Sequence, residues 1–238
     1  MAGNETVFMS FIVLEGIDGS GKSTQINLLR QYLDKQNVNY EYLHFPRTDS
    51  PVYGELISMF LRGEFGDINT VNPYLTALLY AGDRHDASQI IRSWIKKGDL
   101  VIVDRYVYSN IAYQCAKIKS ETDKKALKKW IKYLEYEYNG IPAPDTGIFL
   151  NVSHEFTKDK LTSERNGADR DYLKGKRDIH EQSLDFQKKV SDEYLSLVKE
   201  DGNFHLIDCC PDNKNMQKPE VIFDKILDLL ISKEIIKI

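Results

Sequence analysis

The 238-residue sequence holds only three cysteines, Cys115, Cys209 and Cys210. An odd number, two of them adjacent, cannot complete a disulfide framework. No CxxC or HExxH pattern occurs, and the five histidines (His44, His85, His154, His180, His205) are scattered, so no structural metal motif is legible. Long apolar runs are missing as well. The longest near the start, Phe11 to Leu14, is far short of the ~20 residues that span a bilayer. Met1 to Thr6 lacks the basic opening of a secretory signal. There is no excess of positive charge either: 32 Lys and Arg stand against 36 Asp and Glu, a net charge of −4. That balance speaks against a nucleic-acid polymer or an anionic membrane as partner, while leaving room for a local cationic pocket. A reducing cytoplasm is the expected home.

Against these absences, the chain has an ordinary soluble composition, 42% hydrophobic and 29% charged. Its length suits one α/β domain over residues 1–238. Short apolar runs, rich in β-branched and aromatic residues, predict buried strands at Ser10–Glu15, Tyr40–Phe45, Leu100–Asp104, Thr146–Asn151 and Phe204–Asp208. Apolar spacings of three and four predict helices at Ser23–Gln36, Pro73–Lys97, Asp178–Glu200 and Pro219–Ser232. Pro73 suits a first helical turn and Gly98 a helix end. Alternation of β and α predicts a doubly wound parallel sheet of about five strands, with ligands at the strands' carboxyl ends. Residues 163–177 break the pattern. They carry Arg165, Arg170, Lys174, Lys176 and Arg177 with few apolar residues, and read either as a solvated loop or as a mobile cationic lid.

The strongest motif is Gly16-Ile17-Asp18-Gly19-Ser20-Gly21-Lys22-Ser23. It satisfies GxxxxGK[ST] between a predicted strand and a predicted helix, the context that a phosphate loop requires. Glycines let backbone N–H groups turn toward phosphate oxygens, and the helix start adds about half a positive charge. Gly16, Asp18, Gly19, Ser20, Gly21, Lys22, Ser23 and Thr24 are therefore the expected ATP-binding residues. Lys22 reaches the terminal phosphates and the Ser23 hydroxyl is a ligand for Mg²⁺. A second strand ends in Asp104-Arg105-Tyr106. Asp104 is placed to hold Mg²⁺. Arg105 suits the clamping of two phosphoryl groups in direct transfer, where motor ATPases usually carry a second acid.

The phosphate loop, His44-Phe45-Pro46-Arg47, Leu78 to Arg84, Asp104-Arg105-Tyr106 with Ser109 and Ala112-Tyr113-Gln114, and Asp178 to Tyr194 occur in an order and spacing that resembles the thymidylate kinase family. That family is one of the phosphate-loop nucleoside monophosphate kinases. The resemblance spans Ser10 to about Leu197. It implies transfer of the γ-phosphoryl group of ATP to dTMP with Mg²⁺, and a homodimer packed through helices. It also implies roles. Asp18 accepts from the sugar 3′-hydroxyl, and Arg47 holds the acceptor phosphate with its planar fork. Phe45, Ser109 and Gln114 line the dTMP pocket, Tyr80 stacks on the base, Arg84 donates to a thymine carbonyl, and Tyr113 crowds the 2′ position. Many members carry an arginine directly after the loop acid, where this chain has Gly19. The pattern without it draws cations from the lid, so Arg165 or Arg170 is expected to bridge donor and acceptor.

No general base is needed for an acceptor that is already a phosphate oxygen; catalysis is then positioning and charge neutralisation. Another nucleoside monophosphate kinase stays open as an alternative, and two further rivals fit less well. A deoxynucleoside kinase usually carries Glu-Arg-Ser in place of Asp104-Arg105-Tyr106 and has no use for Arg47. A GTP-dependent switch needs an Asn/Thr-Lys-x-Asp base reader, and the final acid is missing from both Thr157 to Lys160 and Asn213 to Met216.

Overall fold

The computed structural model describes residues 10–161, 172–174, 178–180 and 183–236. Five parallel strands form one sheet: β1 (Phe11–Glu15), β2 (Tyr40–His44), β3 (Leu100–Asp104), β4 (Thr146–Asn151) and β5 (Phe204–Asp208), in the order β2-β3-β1-β4-β5. The central strands β1 and β3 are buried at every position, and β4 at all but its last. Their unbroken apolar runs are what a sheet covered on both faces requires. The edge strands β2 and β5 are partly exposed, which explains the polar residues Glu41 and His205 within them.

Helices α1 (Lys22–Lys35), α2 (Tyr53–Leu61), α3 (Pro73–Lys97), α4 (Val107–Cys115), α5 (Glu121–Lys132), α6 (His154–Leu161), α7 (Leu184–Glu200) and α8 (Pro219–Ser232) flank the sheet. Helices α3 and α8 have the predicted limits. In α3, the Asn72 side chain accepts from Tyr74 N, Pro73 takes the first turn, and Gly98 closes the end in a left-handed conformation with φ 84°. The helix predicted from Asp178 begins only at Leu184. The Ser183 hydroxyl accepts from Phe186 N at 3.2 Å and caps it there, while Ile179 N pairs instead with Leu61 O at 3.1 Å. Helices α2, α4, α5 and α6 were not predicted. Nor was the π-helical turn Tyr133–Tyr138 that continues α5. Among the described residues, no helix is long and apolar enough to cross a membrane.

Register places the chemistry. Leu14 of β1 lies opposite Asp104 of β3, and His44 of β2 lies opposite the same Asp104. The segments after β1, β2 and β3, far apart in the chain, therefore start side by side at the carboxyl edge of the sheet, where open α/β sheets bind ligands.

Candidate active site

A cleft of about 1570 Å³ opens at that edge. Single small-molecule pockets typically hold ~300–1,000 Å³, so this one has room for two nucleotides. Its walls include the phosphate loop, the segment after Phe45, one face of α3 and the start of α4.

The phosphate loop is held in shape by two glycines. A Cβ on Gly16 would collide with Ser20 Oγ and lie 3.1 Å from Leu150 O, so only glycine lets the loop fold against β4. Gly21 starts α1 in a left-handed conformation (φ 87°), and a Cβ there would come within 2.6 Å of Met216 Cε. The first turn of α1 leaves N–H groups without helical acceptors. Lys22 is 7% exposed and donates to Gly16 O at 3.1 Å and Ile17 O at 3.2 Å. Burial, helped by the nearby charge of Arg105, lowers its pKa to about 8. Ser23 and Thr24 are exposed to the cleft. Ser20 is buried, and its Oγ has no hydrogen-bond partner among the described residues.

Arg105 sits just past β3 with φ 64°, an uncommon conformation for a side chain of this size. The turn carries its guanidinium under the loop, where Nη1 donates to Gly16 O at 2.9 Å and Nη2 to Asp18 Oδ1 at 2.5 Å. Asp18 also accepts from Tyr113 OH and from Gln187 Nε2, each at 3.1 Å. Asp104 Oδ2 lies 3.1 Å from His44 Nδ1, while Oδ1 is buried without a partner among the described residues. Burial pushes the Asp104 carboxyl up, but the His44 hydrogen bond and the charge of Lys22 outweigh it, and the net shift is downward. Asp104 therefore stays an anion facing the loop. Beneath this layer Glu15 is fully buried. It accepts from Tyr106 N at 2.7 Å, Ser109 Oγ at 2.5 Å and Tyr194 OH at 2.9 Å.

The predicted acceptor residues all reach the cleft, with three differences in how their groups are used. Arg47 lines it, but its Nε meets Asp83 Oδ1 at 2.9 Å and its Nη2 meets Asp86 Oδ2 at 2.5 Å. Gripping a phosphate with both arms of the fork requires exchange of these carboxylates. Ser109 lies on the wall with its hydroxyl committed to Glu15 rather than to a base. Arg84 is 2% exposed and bidentate to Glu135, with Nε to Oε2 at 2.7 Å and Nη2 to Oε1 at 2.5 Å. Its Nη1 has no partner among the described residues. Phe45 packs between the two arginines, each guanidinium 6.0 Å from its ring centre. Tyr80 is half-buried on α3, edge-on to Phe60. The Tyr113 ring lies 4.8 Å from that of His180. Gln114 accepts from Lys117 Nζ at 2.8 Å, and its Nε2 has no partner among the described residues.

Arg165, Arg170 and the lid segment 163–177, apart from Tyr172 to Lys174, lie outside the described residues. Cys209 and Cys210 follow β5 directly. Both cysteines are buried in the core, and the cleft wall at that end is formed by Met216, Gln217 and Pro219 instead.

Sequence reasoning missed Asn110, Glu135, His44 and Gln187. Asn110 lines the cleft with Oδ1 buried and unpartnered. It sits three residues before Tyr113 on α4, and that helical spacing is the signal that could have found it. Glu135 had no local signal.

A parallel sheet with a phosphate loop after β1, an anionic Asp104 beside it and a cleft sized for two nucleotides defines a phosphate-loop nucleotide kinase fold. The thymidylate kinase family model matches residues 14–219. The chain is 33% identical over 187 residues to the thymidylate kinase of Mycobacterium tuberculosis, a match covering 79% of this chain and 85% of that one. It is 31% identical over 191 residues to the enzyme of the same name from Plasmodium falciparum, covering 80% and 78%. A solved thymidylate kinase structure from Candida albicans shares the fold with a TM-score of 0.70 at 24% identity, covering 95% of this chain and 92% of that one. The chain belongs to the thymidylate kinase family, and is accordingly an enzyme of the nucleoside monophosphate kinase group.

Proposed function

We propose that the protein transfers the γ-phosphoryl group of ATP to dTMP, giving ADP and dTDP. The observation that carries this reading is that one cleft is walled both by the phosphate loop and by a base-edge pair, Arg84 and Asn110. Arg84 Nη1 offers a donor and Asn110 Oδ1 an acceptor, which complements a pyrimidine edge presenting O4 and N3–H. The rest of the pocket suits a deoxynucleotide: Phe45 and Tyr80 flank the base, and Tyr113 fills the space a 2′-hydroxyl would need.

The chain's own residues act by position and charge. The loop N–H groups and Lys22 hold the donor phosphates. Arg105, fixed by Gly16 O and Asp18, stands between the donor loop and the acceptor pocket and neutralises charge as it develops. Asp18 accepts from the sugar hydroxyl. Arg47 takes the acceptor phosphate when Asp83 and Asp86 release its fork. Arg165 or Arg170 closes over both phosphates and excludes water. Mg²⁺ fits this site: the orphaned Asp104 Oδ1 and the Ser23 hydroxyl are hard oxygen donors at the loop. When bound, the ion adds positive charge against the donor phosphates.

The same reading includes one domain over residues 1–238, a homodimer and a cytoplasmic setting. Leu75 and Leu78, 62% and 47% exposed one turn apart on α3, support the dimer. Three free, buried cysteines support the reducing compartment. A coupled assay of ADP release with dTMP, dUMP, thymidine, AMP and UMP tests the function. Turnover should depend on dTMP; an Mg²⁺-loaded, folded protein that releases no ADP on adding dTMP would sink the proposal.

A further inference from the structure

We infer that Glu135 is a positioning residue that sets which way the base-reading groups face, and that it thereby encodes the choice of a keto-pyrimidine over an amino-pyrimidine monophosphate. The inference rests on the reading of the cleft as the acceptor site. Glu135 does not line the cleft. It lies behind it with 0% exposure, on the π-helical turn Tyr133–Tyr138. Such turns carry one more residue than an α turn and recur at functional sites. This one is pinned to α3: Asn139 O faces His85 Nδ1 at 3.2 Å, and Arg92 Nη2 donates to Gly140 O.

Both Glu135 oxygens are used. Oε2 takes Arg84 Nε at 2.7 Å; Oε1 takes Arg84 Nη2 at 2.5 Å and Asn110 Nδ2 at 2.8 Å. Asn110 Nδ2 also donates to Ala77 O at 3.1 Å. Two acceptors, one of them a carboxylate, hold the amide nitrogen. The amide cannot turn over without placing its oxygen against them, so Oδ1 is the branch left over. The same carboxylate occupies the Nε–Nη2 edge of the Arg84 guanidinium and leaves Nη1. Among the described residues this leaves one donor, Arg84 Nη1, and one acceptor, the buried Asn110 Oδ1, on two residues that line the cleft. Thymine offers O4 as an acceptor and N3–H as a donor. Cytosine offers the reverse, a 4-amino donor and an N3 acceptor. A reader locked in one polarity leaves polar groups unpaired against the wrong base, which is how buried sites reject analogues. Glu135 is acceptor-only, and that is why it can impose the polarity. Glutamine at the same place keeps one acceptor and brings an N–H₂: turned one way it sets a donor against Arg84 Nε, turned the other it removes the carboxylate hold on Asn110 Nδ2, and either way the polarity is no longer imposed on both groups.

The test measures dTMP and dCMP binding by isothermal titration calorimetry to wild type, Glu135→Gln and Glu135→Asp, each first checked for a cooperative thermal melt. Wild type should favour dTMP strongly. In Glu135→Gln the ratio of the two dissociation constants should fall at least tenfold. Glu135→Asp keeps the charge that pairs Arg84, so it decides the matter if the glutamine variant does not fold. Its shorter reach should also cost tenfold in the ratio. A purely structural role would weaken both ligands in parallel, and an unchanged ratio in every folded variant would overturn the inference. Failure of the acceptor-site reading shows separately, as wild type with no preference for dTMP.

Discussion

Replacing Lys22 by methionine should cut turnover sharply and yet stabilise the nucleotide-free protein. Lys22 is a cation buried in the phosphate loop, and burial lowers its pKa from 10.5 to about 8. At about 1.4 kcal/mol per unit, keeping it charged in the fold costs about 3 kcal/mol. Methionine removes that cost and fills similar space. It also removes the donor to Gly16 O and Ile17 O, at roughly 1 kcal/mol each. The net gain at pH 7 is therefore about 1 kcal/mol, or roughly 2–4 °C in Tm for a chain of this size. The gain has a definite pH dependence. Below about pH 8 the lysine is charged both folded and unfolded, and its cost is present in full. Between about 8 and 10.5 the unfolded chain holds a proton that the folded chain releases, so the stability of the native protein rises with pH. The advantage of Lys22→Met should shrink across that window and reverse at its upper end, where only the lost hydrogen bonds count. Calorimetric melts of both proteins from pH 7 to 10.5, without nucleotide, read this directly. A variant less stable than wild type at pH 7, or an advantage independent of pH, would refute the reasoning. The kcat of the variant should fall by about 10²-fold or more, the scale on which single charge-stabilising donors act.

Tyr113→Ala should raise kcat/KM for ribothymidine monophosphate relative to dTMP by about tenfold, because the ring that crowds the 2′ position is gone; an unchanged ratio places the discrimination elsewhere. Of Arg165→Ala and Arg170→Ala, at least one should lower kcat more than it weakens dTMP affinity; unchanged kcat in both removes the lid cations from the mechanism. The double substitution Leu75→Glu and Leu78→Glu should convert the proposed dimer to monomer in sedimentation equilibrium, since it buries like charges across a two-fold contact; an unaltered mass rules α3 out of the interface.

Strand positions were legible because β1, β3 and β4 are covered on both faces and therefore carry unbroken apolar runs. Helices α3 and α8 were legible because prolines and a glycine mark their ends. Helix α4 was not. Val107 to Cys115 is buried at all but one position, so its apolar residues show no stripe and its period is hidden. Helix α5 has the opposite problem, a run of lysines that reads as a solvated segment, with only Leu127 and Ile131 buried. The start of α7 was misplaced because the apolar spacing runs on through Ile179, although Ser183 supplies the cap.

Within the site the division is sharper. The phosphate loop could be read from eight consecutive residues, because the backbone that wraps a phosphate is local and needs glycine at fixed places. The composition likewise determined that bulk charge has little to do with phosphate binding: at a net −4, the cations have to be placed. Where they are placed is a matter of sheet order. Pairing of β1 with β3 brings Arg105 to Asp18, and pairing of β2 with β3 brings His44 to Asp104. Only the tertiary structure decided that Arg47 is held by Asp83 and Asp86, and that Arg84 and Asn110 share Glu135. A buried polar group takes its partner from whatever the packing sets beside it, and a partner 51 or 25 residues away leaves no spacing in the sequence to read.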